Sequence, residues 1–184
     1  EVDFWDSKNG LLIQGNYNFN PLYYKTTDGG LNWYEIENSK PVGNYYPSDI
    51  HILPNGKCYS IELVDLETDS SFYIHKSTDY GETWSSYKSA KYPPTGAFFF
   101  VNENLGFCYG SGHINWDLPE TKYIRKTTDG GRSWRVVLDT TYIPTNEVCF
   151  MHFYDTLNGM ASTCGSIIRT TNGGDNWSVD TTYN

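Results

Sequence analysis

Three aspartates and one asparagine recur at nearly constant spacing and are the first side chains in the sequence that could do chemistry. They are Asp28, Asp79, Asp129 and Asn172, roughly 50 residues apart, and glycine follows each within two positions. A carboxylate acts as a general acid or base only where it reaches a substrate. A carboxylate that accepts hydrogen bonds from its own turn, in which glycine supplies a positive φ, is committed to structure. We therefore expect these four residues to hold turns together and assign them no catalytic role.

Each of the four residues lies in one copy of a segment that ends in tryptophan. The copies are Tyr24–Trp33, His75–Trp84, Arg125–Trp134 and Ile168–Trp177. A second recurring element, an apolar strand followed by a tight turn and another strand, precedes each copy at Val2–Gly15, Asp49–Ser60, Ala97–Gly110 and Val148–Gly165. Two antiparallel hairpins per repeat, A–B and C–D, account for this pattern. A period near 50 residues is typical of one four-stranded propeller blade.

The repeat predicts an all-β fold, a β-propeller built of four-stranded antiparallel blades with four blades in this chain. We expect a single domain over residues 1–184, with blades at about 1–38, 39–90, 91–139 and 140–184. An aromatic content of 17% favours strands over helices. The residues that close the turns are predicted to be Asp28 with Trp33, Asp79 with Trp84, Asp129 with Trp134, and Asn172 with Trp177.

The charge balance limits the kinds of partner. The chain has 13 Lys and Arg against 22 Asp and Glu, a net charge of −9, and no segment gathers its basic side chains. Phosphate backbones and anionic membranes attract basic surfaces, so we predict neither nucleic-acid binding nor membrane insertion. No stretch reaches the roughly 18 to 20 apolar residues of a membrane-spanning helix, and Glu1 begins in a strand-like pattern. We expect a soluble chain from which any signal peptide has been removed.

The repeated pattern Ser/Thr-x-Asp/Asn-x-Gly-x-x-Trp, with its preceding hairpin, resembles the Asp-box, or bacterial neuraminidase repeat, propellers. That family includes sialidases, xyloglucan-cleaving hydrolases, the luminal domain of sortilin, and photosystem II stability and assembly factors. The motif Thr-Thr-Asp-Gly-Gly-x-x-Trp is most similar to the motifs of the assembly-factor branch and of related secreted bacterial propellers. The resemblance implies six or more blades, so four blades predict a segment of a larger propeller, or closure alone or with a second copy.

The side chains that a hydrolase of this family would need are not evident. A sialidase uses three arginines that converge on a substrate carboxylate. The sequence has four, of which we place Arg125 and Arg169 at equivalent positions of strand C, Arg132 in a turn and Arg135 after a tryptophan. No two carboxylates are visibly paired at the roughly 5 to 9.5 Å of a glycosidase. The histidines, which lack metal-ligand spacing, are His51, His75, His113 and His152. We therefore predict no catalytic residue, no metal and no cofactor.

One acidic loop and the four cysteines each have two interpretations. The run Asp65–Asp69 could hold a cation through its oxygen atoms, but it lacks the spacing and glycine of a calcium loop, and a solvated loop is the favoured interpretation. Cys58 and Cys108 occupy matching strand-B positions and are predicted to pack in the core. Cys149 and Cys164 are expected to lie about opposite each other on paired strands. They are either a cross-strand disulfide or two buried thiols.

Two sets of residues are candidates for a binding surface on the face opposite the Asp boxes. The D–A connections carry Tyr/Pro corners, and tyrosine on a stiff corner contacts a ligand at little conformational cost. The long B–C connection of blade 3 combines aromatic and polar side chains, on a loop that varies among the blades. The corner residues can also simply pack blade against blade. The candidate binding residues are Tyr46, Tyr92, Tyr142, His113, Trp116 and Asp117.

These patterns favour a non-catalytic binding or scaffolding module of a secreted, periplasmic or cell-surface protein that engages a protein partner. The alternative is a glycan-binding or glycan-hydrolysing, sialidase-like propeller that uses the same aromatic face, with Asp65, Asp69 or Asp117 as rim carboxylates. A third possibility is a purely structural segment of a larger surface protein.

Overall fold

A computed structural model describes residues 1–14, 22–36, 47–63, 71–91, 97–112, 121–139, 148–163 and 165–180. Within these ranges every regular element is a β-strand. The first eight strands are β1 Val2–Phe4, β2 Gly10–Gln14, β3 Leu22–Thr26, β4 Tyr34–Glu35, β5 Pro47–Ile52, β6 Cys58–Leu63, β7 Ser71–Ser77 and β8 Ser85–Lys91. The other eight are β9 Phe98–Phe100, β10 Gly106–Gly112, β11 Thr121–Thr127, β12 Arg135–Asp139, β13 Val148–Phe153, β14 Gly159–Thr163, β15 Ser166–Thr170 and β16 Ser178–Val179.

The strands form four antiparallel sheets of four strands each, and in every sheet the strands follow chain order. The orders are β1-β2-β3-β4, β5-β6-β7-β8, β9-β10-β11-β12 and β13-β14-β15-β16. A four-stranded meander of this kind is the blade of a β-propeller. The predicted fold class, an all-β propeller chain with four four-stranded blades, is confirmed.

The chain divides into two compact units, Glu1–Lys91 and Tyr92–Asn184, each of which contains two sheets. We call these the first and second units and describe each by itself. The single domain over residues 1–184 stays a prediction. In the part of the chain that the structure describes, no helix has the length and apolar character needed to cross a membrane.

The core of each unit lies between its two sheets. In the first unit, Leu11 and Ile13 of β2 pack with Ile50 and Ile52 of β5. In the second unit, Phe107 of β10 stacks on Phe153 of β13 with ring centroids 4.7 Å apart. Both arrangements remove apolar side chains from water, which is the main stabilising contribution to folding.

The recurring Phe-then-Gly pattern of the A–B hairpins has a steric cause. In three blades a phenylalanine lies directly across the hairpin from a glycine. A Cβ on that glycine would approach the phenylalanine ring to between 2.7 and 2.8 Å, which is closer than a carbon contact allows. The three pairs are Phe4 with Gly10, Phe100 with Gly106, and Phe153 with Gly159.

Candidate functional site

Four turns connect strands C and D, and we call them the repeat turns: 26–33, 77–84, 127–134 and 170–177. Each of them has the same internal pattern of hydrogen bonds. In the second turn, Asp79 Oδ1 accepts from the backbone N–H of Thr83 at 2.9 Å and Oδ2 accepts from the Thr83 hydroxyl at 2.5 Å. The Ser77 hydroxyl donates to Asp79 Oδ1 at 2.7 Å and accepts from the N–H of Gly81 at 2.8 Å. This buried hydroxyl therefore joins the start of the turn to its middle.

The other repeat turns use the same two acceptors. The Asp or Asn side-chain oxygen accepts from the residue four positions later in each turn. The hydroxyls that play the part of Ser77 belong to Thr26, Thr127 and Thr170, and all three residues are buried. Sequence reasoning did not assign this role to the Thr and Ser positions, although each copy carries one two residues before its Asp or Asn.

These hydrogen bonds fix the charge of the turn carboxylates. In Asp28 the backbone and side chain of Asn32 donate to the carboxylate and lower its pKa. In Asp79 and Asp129, partial burial acts to raise the pKa, but the hydrogen bonds from Thr83 and Ser133 outweigh it and the pKa is lowered. A carboxyl group that donates a proton near neutral pH needs the opposite shift.

Each repeat turn also docks on the A–B turn of its own blade. The backbone N–H of the residue after the Asp or Asn donates to a carbonyl of the A–B turn, at distances from 2.7 to 3.1 Å. The four bonds are Gly29 to Lys8, Tyr80 to Gly56, Gly130 to Asn104, and Gly173 to Leu157. The two turns of a blade therefore lie together at one end of its sheet.

Tyr80 is the one described non-glycine residue with a positive φ, 58°. It stands where the other three repeat turns have glycine, in a conformation that costs an ordinary residue free energy. Its ring compensates by packing against Trp5 at a centroid distance of 5.0 Å. The ring also lies against Gly56, where a Cβ would come within 2.3 Å of it.

The binding residues predicted from the sequence are outside the residues that the structure describes, so their roles stay predictions. They are Tyr46, Tyr92, Tyr142, His113, Trp116 and Asp117. The acidic loop Asp65–Asp69 and Cys164 also fall outside. Across the described ranges, no group of three or more His, Cys, Asp or Glu side chains is arranged to hold a metal ion.

The cysteines that are described differ in exposure. Cys58 and Cys108 are buried thiols, and burial raises the pKa of Cys58 to about 12 and that of Cys108 further. Both are therefore protonated and unreactive at neutral pH. Cys149 is exposed on β13, so the alternative of two buried thiols is wrong for this residue, and its pairing with Cys164 stays an open prediction.

Arg125 and Arg169 do not occupy equivalent positions, contrary to the sequence-based placement. Arg125 is buried, pairs across the sheet with Cys108, and lies 4.8 Å from the centre of the Tyr123 ring. Arg169 is 49% exposed and forms an ion pair with Asp180 at 2.6 Å. The register assigns Arg169 to the position of Lys126 in the third blade. The error of one residue matters because neighbouring residues of a strand face opposite sides of the sheet.

An open groove of about 480 Å³ lies in the first unit, between the outer strand of the first sheet and the repeat turn of the second. Its lining is mostly polar and includes one aromatic residue. The lining residues are Lys25, Thr27, Tyr34, Glu35, Ile36, Glu82 and Thr83. The volume falls in the range of roughly 300 to 1,000 Å³ that is usual for ligand sites.

Lys25 is one of the residues that line this groove. Its Nζ atom lies 2.5 Å from Glu82 Oε1, and its ammonium group stands 5.9 Å from the centre of the Trp5 ring. Tyr34 is the direct cross-strand neighbour of Lys25 and is 61% exposed, and Glu35 beside it is also exposed. The groove therefore presents one aromatic side chain and the carboxylate of Glu82, which is paired with Lys25. Glu35 lies across the strand pair from Tyr24, so its side chain faces the other side of the sheet.

The second unit has different side chains at the same repeat positions. Lys126 corresponds to Lys25 and forms an ion pair with Asp175 at 2.6 Å. Arg135 stands in the place of Tyr34, directly across the strand pair from Lys126, and its guanidinium also binds Asp175. The hydrogen bond from Lys126 is the largest cause of a lowered pKa of Asp175, and Arg135 contributes to it. One carboxylate thus holds two cations in the second unit.

Sequence reasoning missed this groove, although the aligned repeats contain the signal. The residue before the Thr or Ser of each repeat turn is always basic. The third residue after the Asp or Asn varies, and is acidic only in the second and fourth copies. The pairing of these positions joins two neighbouring blades, so it is invisible when each repeat is considered alone.

The comparisons with known proteins establish the fold and nothing finer. The sequence matches no protein-family model and no curated protein. A GH74 enzyme from Niastella koreensis is 15% identical, with a TM-score of 0.61, and the match covers 97% of this chain and 29% of that one. The GH74 xyloglucanase from Xanthomonas campestris is 16% identical, with a TM-score of 0.56, and the match covers 96% of this chain and 29% of that one.

A third structure, the alpha-L-arabinanase of Penicillium chrysogenum complexed with arabinobiose, is 15% identical with a TM-score of 0.56. The match covers 93% of this chain and 63% of that one. This chain therefore spans between 29% and 63% of the length of these structures. YCF48 from Cyanidioschyzon merolae is 15% identical, with a TM-score of 0.38. At these identities the likeness shows a β-propeller fold alone.

Proposed function

We propose that this chain is a non-catalytic binding module of a secreted or cell-surface protein and that its partner is another protein. The observation that carries the proposal is the open groove of the first unit, which is lined by the exposed Tyr34 and by Glu82. The attribution to a secreted or surface protein rests on the similarity of the repeat wording to secreted Asp-box propellers.

The groove has the composition of a protein-recognition surface. Tyrosine supplies a large contact area with few rotatable bonds, which is why it is enriched at binding hot spots. A sheet edge holds Tyr34 and Glu35 in place, because β4 pairs with β3 through Tyr24 and Lys25. Rigid presentation lowers the entropy that a complex loses when it forms.

The repeat-turn carboxylates support a binding role over a catalytic one. Asp28, Asp79 and Asp129 are fully engaged with their own turns, and their lowered pKa values keep them ionised at neutral pH. Their carboxylates therefore serve as fixed acceptors that make the blades rigid. Rigid blades are the scaffold that a recognition surface needs.

The predicted surface opposite the repeat turns remains part of the proposal. Tyr46, Tyr92, Tyr142, His113, Trp116 and Asp117 would supply a second contact area if the partner extends across the blades. A comparison of Trp116→Ala with Tyr34→Ala tells the two surfaces apart. The surface that the partner uses is the one whose variant loses affinity.

The test is parallel screening of the purified chain on a peptide array and on a glycan array, with product release measured for the bound glycans. We expect selective binding to peptides that is weakened at least tenfold by Tyr34→Ala or by Trp116→Ala. Selective glycan binding with no peptide binding would overturn the proposal in favour of a carbohydrate-binding propeller. Release of a sugar product would overturn it in favour of a hydrolase.

A further inference from the structure

We propose that the groove of the first unit binds an arginine side chain of the partner protein. This inference rests on the proposed function and names the chemistry of the contact. It is carried by a difference between two copies of the same structural position, Tyr34 with Glu82 in the first unit and Arg135 with Asp175 in the second.

The two positions are equivalent by register. Tyr34 lies across the strand pair from Lys25, and Arg135 lies across the strand pair from Lys126. Glu82 and Asp175 each follow the Asp or Asn of their repeat turn by three residues. The backbone therefore brings the same kind of ion pair, a lysine bound to a carboxylate, to the same repeat position in both units.

The second unit shows which group fits beside that ion pair. Asp175 accepts from the ammonium of Lys126 and from the guanidinium of Arg135 together. A carboxylate has about four lone-pair sites, so two cationic donors do not exhaust it. The chain itself thus provides a bound guanidinium at this repeat position, and the guanidinium belongs to its own Arg135.

The first unit has the same carboxylate without the second cation. Glu82 is 53% exposed, and among the described residues Lys25 is its cationic partner. In place of Arg135 stands Tyr34, whose ring is a favourable surface for a guanidinium through a cation–π contact. An arginine from outside would meet the Glu82 carboxylate and the Tyr34 ring.

The charge of the chain and the shape of the donor both favour arginine. A net charge of −9 attracts cationic segments and repels acidic ones. The guanidinium is flat, stacks on aromatic rings and is less strongly hydrated than the ammonium of lysine. It can therefore contact the Tyr34 ring and a carboxylate at once, with a smaller desolvation penalty.

The test is an NMR titration of the ¹⁵N-labelled chain with the peptide acetyl-Gly-Arg-Gly amide. The control peptide has citrulline in place of arginine, which keeps the shape and removes the charge. We expect saturable shifts at the amides of Tyr34, Glu35 and Glu82 with the arginine peptide and at least tenfold weaker binding of the citrulline peptide. Equal binding of the two peptides would overturn the inference.

Four variants sharpen the titration. Tyr34→Arg supplies the guanidinium from within, as Arg135 does, and should weaken peptide binding at least tenfold, as should Glu82→Gln. Arg135→Tyr should open a second site, with new shifts around Asp175. Tyr154→Ala removes a tyrosine of similar exposure, 65%, in the second unit and should leave binding unchanged. Thermal unfolding of each variant shows that it is folded.

The outcomes separate this inference from the proposed function. If peptides chosen from the array bind, and Tyr34→Arg and Glu82→Gln leave their affinity unchanged, the arginine site is wrong and the protein-binding role stands. If glycans alone bind, the protein-binding role is wrong, and with it the partner that this inference assumes. Loss of peptide binding in both groove variants, with the Tyr154→Ala control unaffected, supports both.

Discussion

The two units have the same strand pairing beside a lysine–carboxylate ion pair, but they carry different side chains there. In the second unit, Arg135 and Lys126 both bind the carboxylate of Asp175. In the first unit, Tyr34 stands at the position of that arginine, and Tyr34, Lys25 and Glu82 line an open groove. The comparison shows that the repeat places equivalent side chains alike, while the residue types at two positions decide whether the chain supplies its own guanidinium there.

The largest expected effect tests whether equivalent positions of the two units carry equal energetic weight. Phe153 is 6% exposed and stacks on Phe107, whereas Phe4 at the same hairpin position is 39% exposed. Phe153→Ala should lower the free energy of unfolding by about 3 to 5 kcal/mol, because it creates a cavity in the core. Phe4→Ala should cost about 1 kcal/mol, since less apolar area is lost. Urea denaturation of both variants checks this, and equal losses would contradict it.

A smaller and symmetrical effect is expected at the repeat turns. Thr26 and Thr127 are buried, and each hydroxyl accepts from a backbone N–H, at 2.9 Å and 2.8 Å respectively. Replacing either with valine keeps the shape and leaves that N–H without its acceptor, which should cost about 1 to 3 kcal/mol of unfolding free energy. The two variants should agree within experimental error in chemical denaturation. A clear difference between them would show that the turns are not interchangeable.

The smallest effect concerns the ion pairs of Asp175 with Lys126 and Arg135 in the second unit, and it depends on pH. The pKa of Asp175 is lowered in the folded chain, chiefly by the hydrogen bond from Lys126, so its ionised form stabilises the fold. That stabilisation is present above the unfolded pKa and is lost as the pH falls through the lowered folded pKa. Because the side chain is 46% exposed, the contribution at pH 7 should be below about 1 kcal/mol.

Asp175→Asn checks this sign when its unfolding free energy is compared with that of the wild type across pH. The difference should be largest near neutral pH and should shrink as the solution becomes acidic. A difference that grows on acidification would mean that Asp175 is not stabilised by its two cations.

Local chemistry explains why so much of the fold was predictable. The turn glycines, the Asp and Asn acceptors and the apolar hairpins act within one repeat, so their strands and turns could be read directly from the sequence. The Phe153–Gly159 pair is of this kind, because the two residues face each other across one hairpin. The hydroxyl of Thr127 is also local, but a Thr before an Asp turn has so many possible partners that its central position was not foreseen.

The groove was less predictable because it depends on two blades at once. Lys25 belongs to the first repeat and Glu82 to the second, and only the packing of the two sheets brings them to 2.5 Å. The shift between Arg125 and Arg169 shows the same limit, since a difference of one residue along a strand moves a side chain to the other face. Tyr46, Trp116 and the other predicted contact residues lie outside the residues that the structure describes, so their contact surface stays a prediction.

The central claim, that the groove of the first unit is where a protein partner binds, is tested most directly by photocrosslinking. A photoreactive p-benzoylphenylalanine would replace Tyr34, Trp116 or Tyr154 in separate preparations, each irradiated with a peptide selected on the array. The account predicts a covalent adduct from position 34 and none from position 154. An adduct from position 116 alone, with the peptide still bound, would place recognition on the opposite surface and contradict the account.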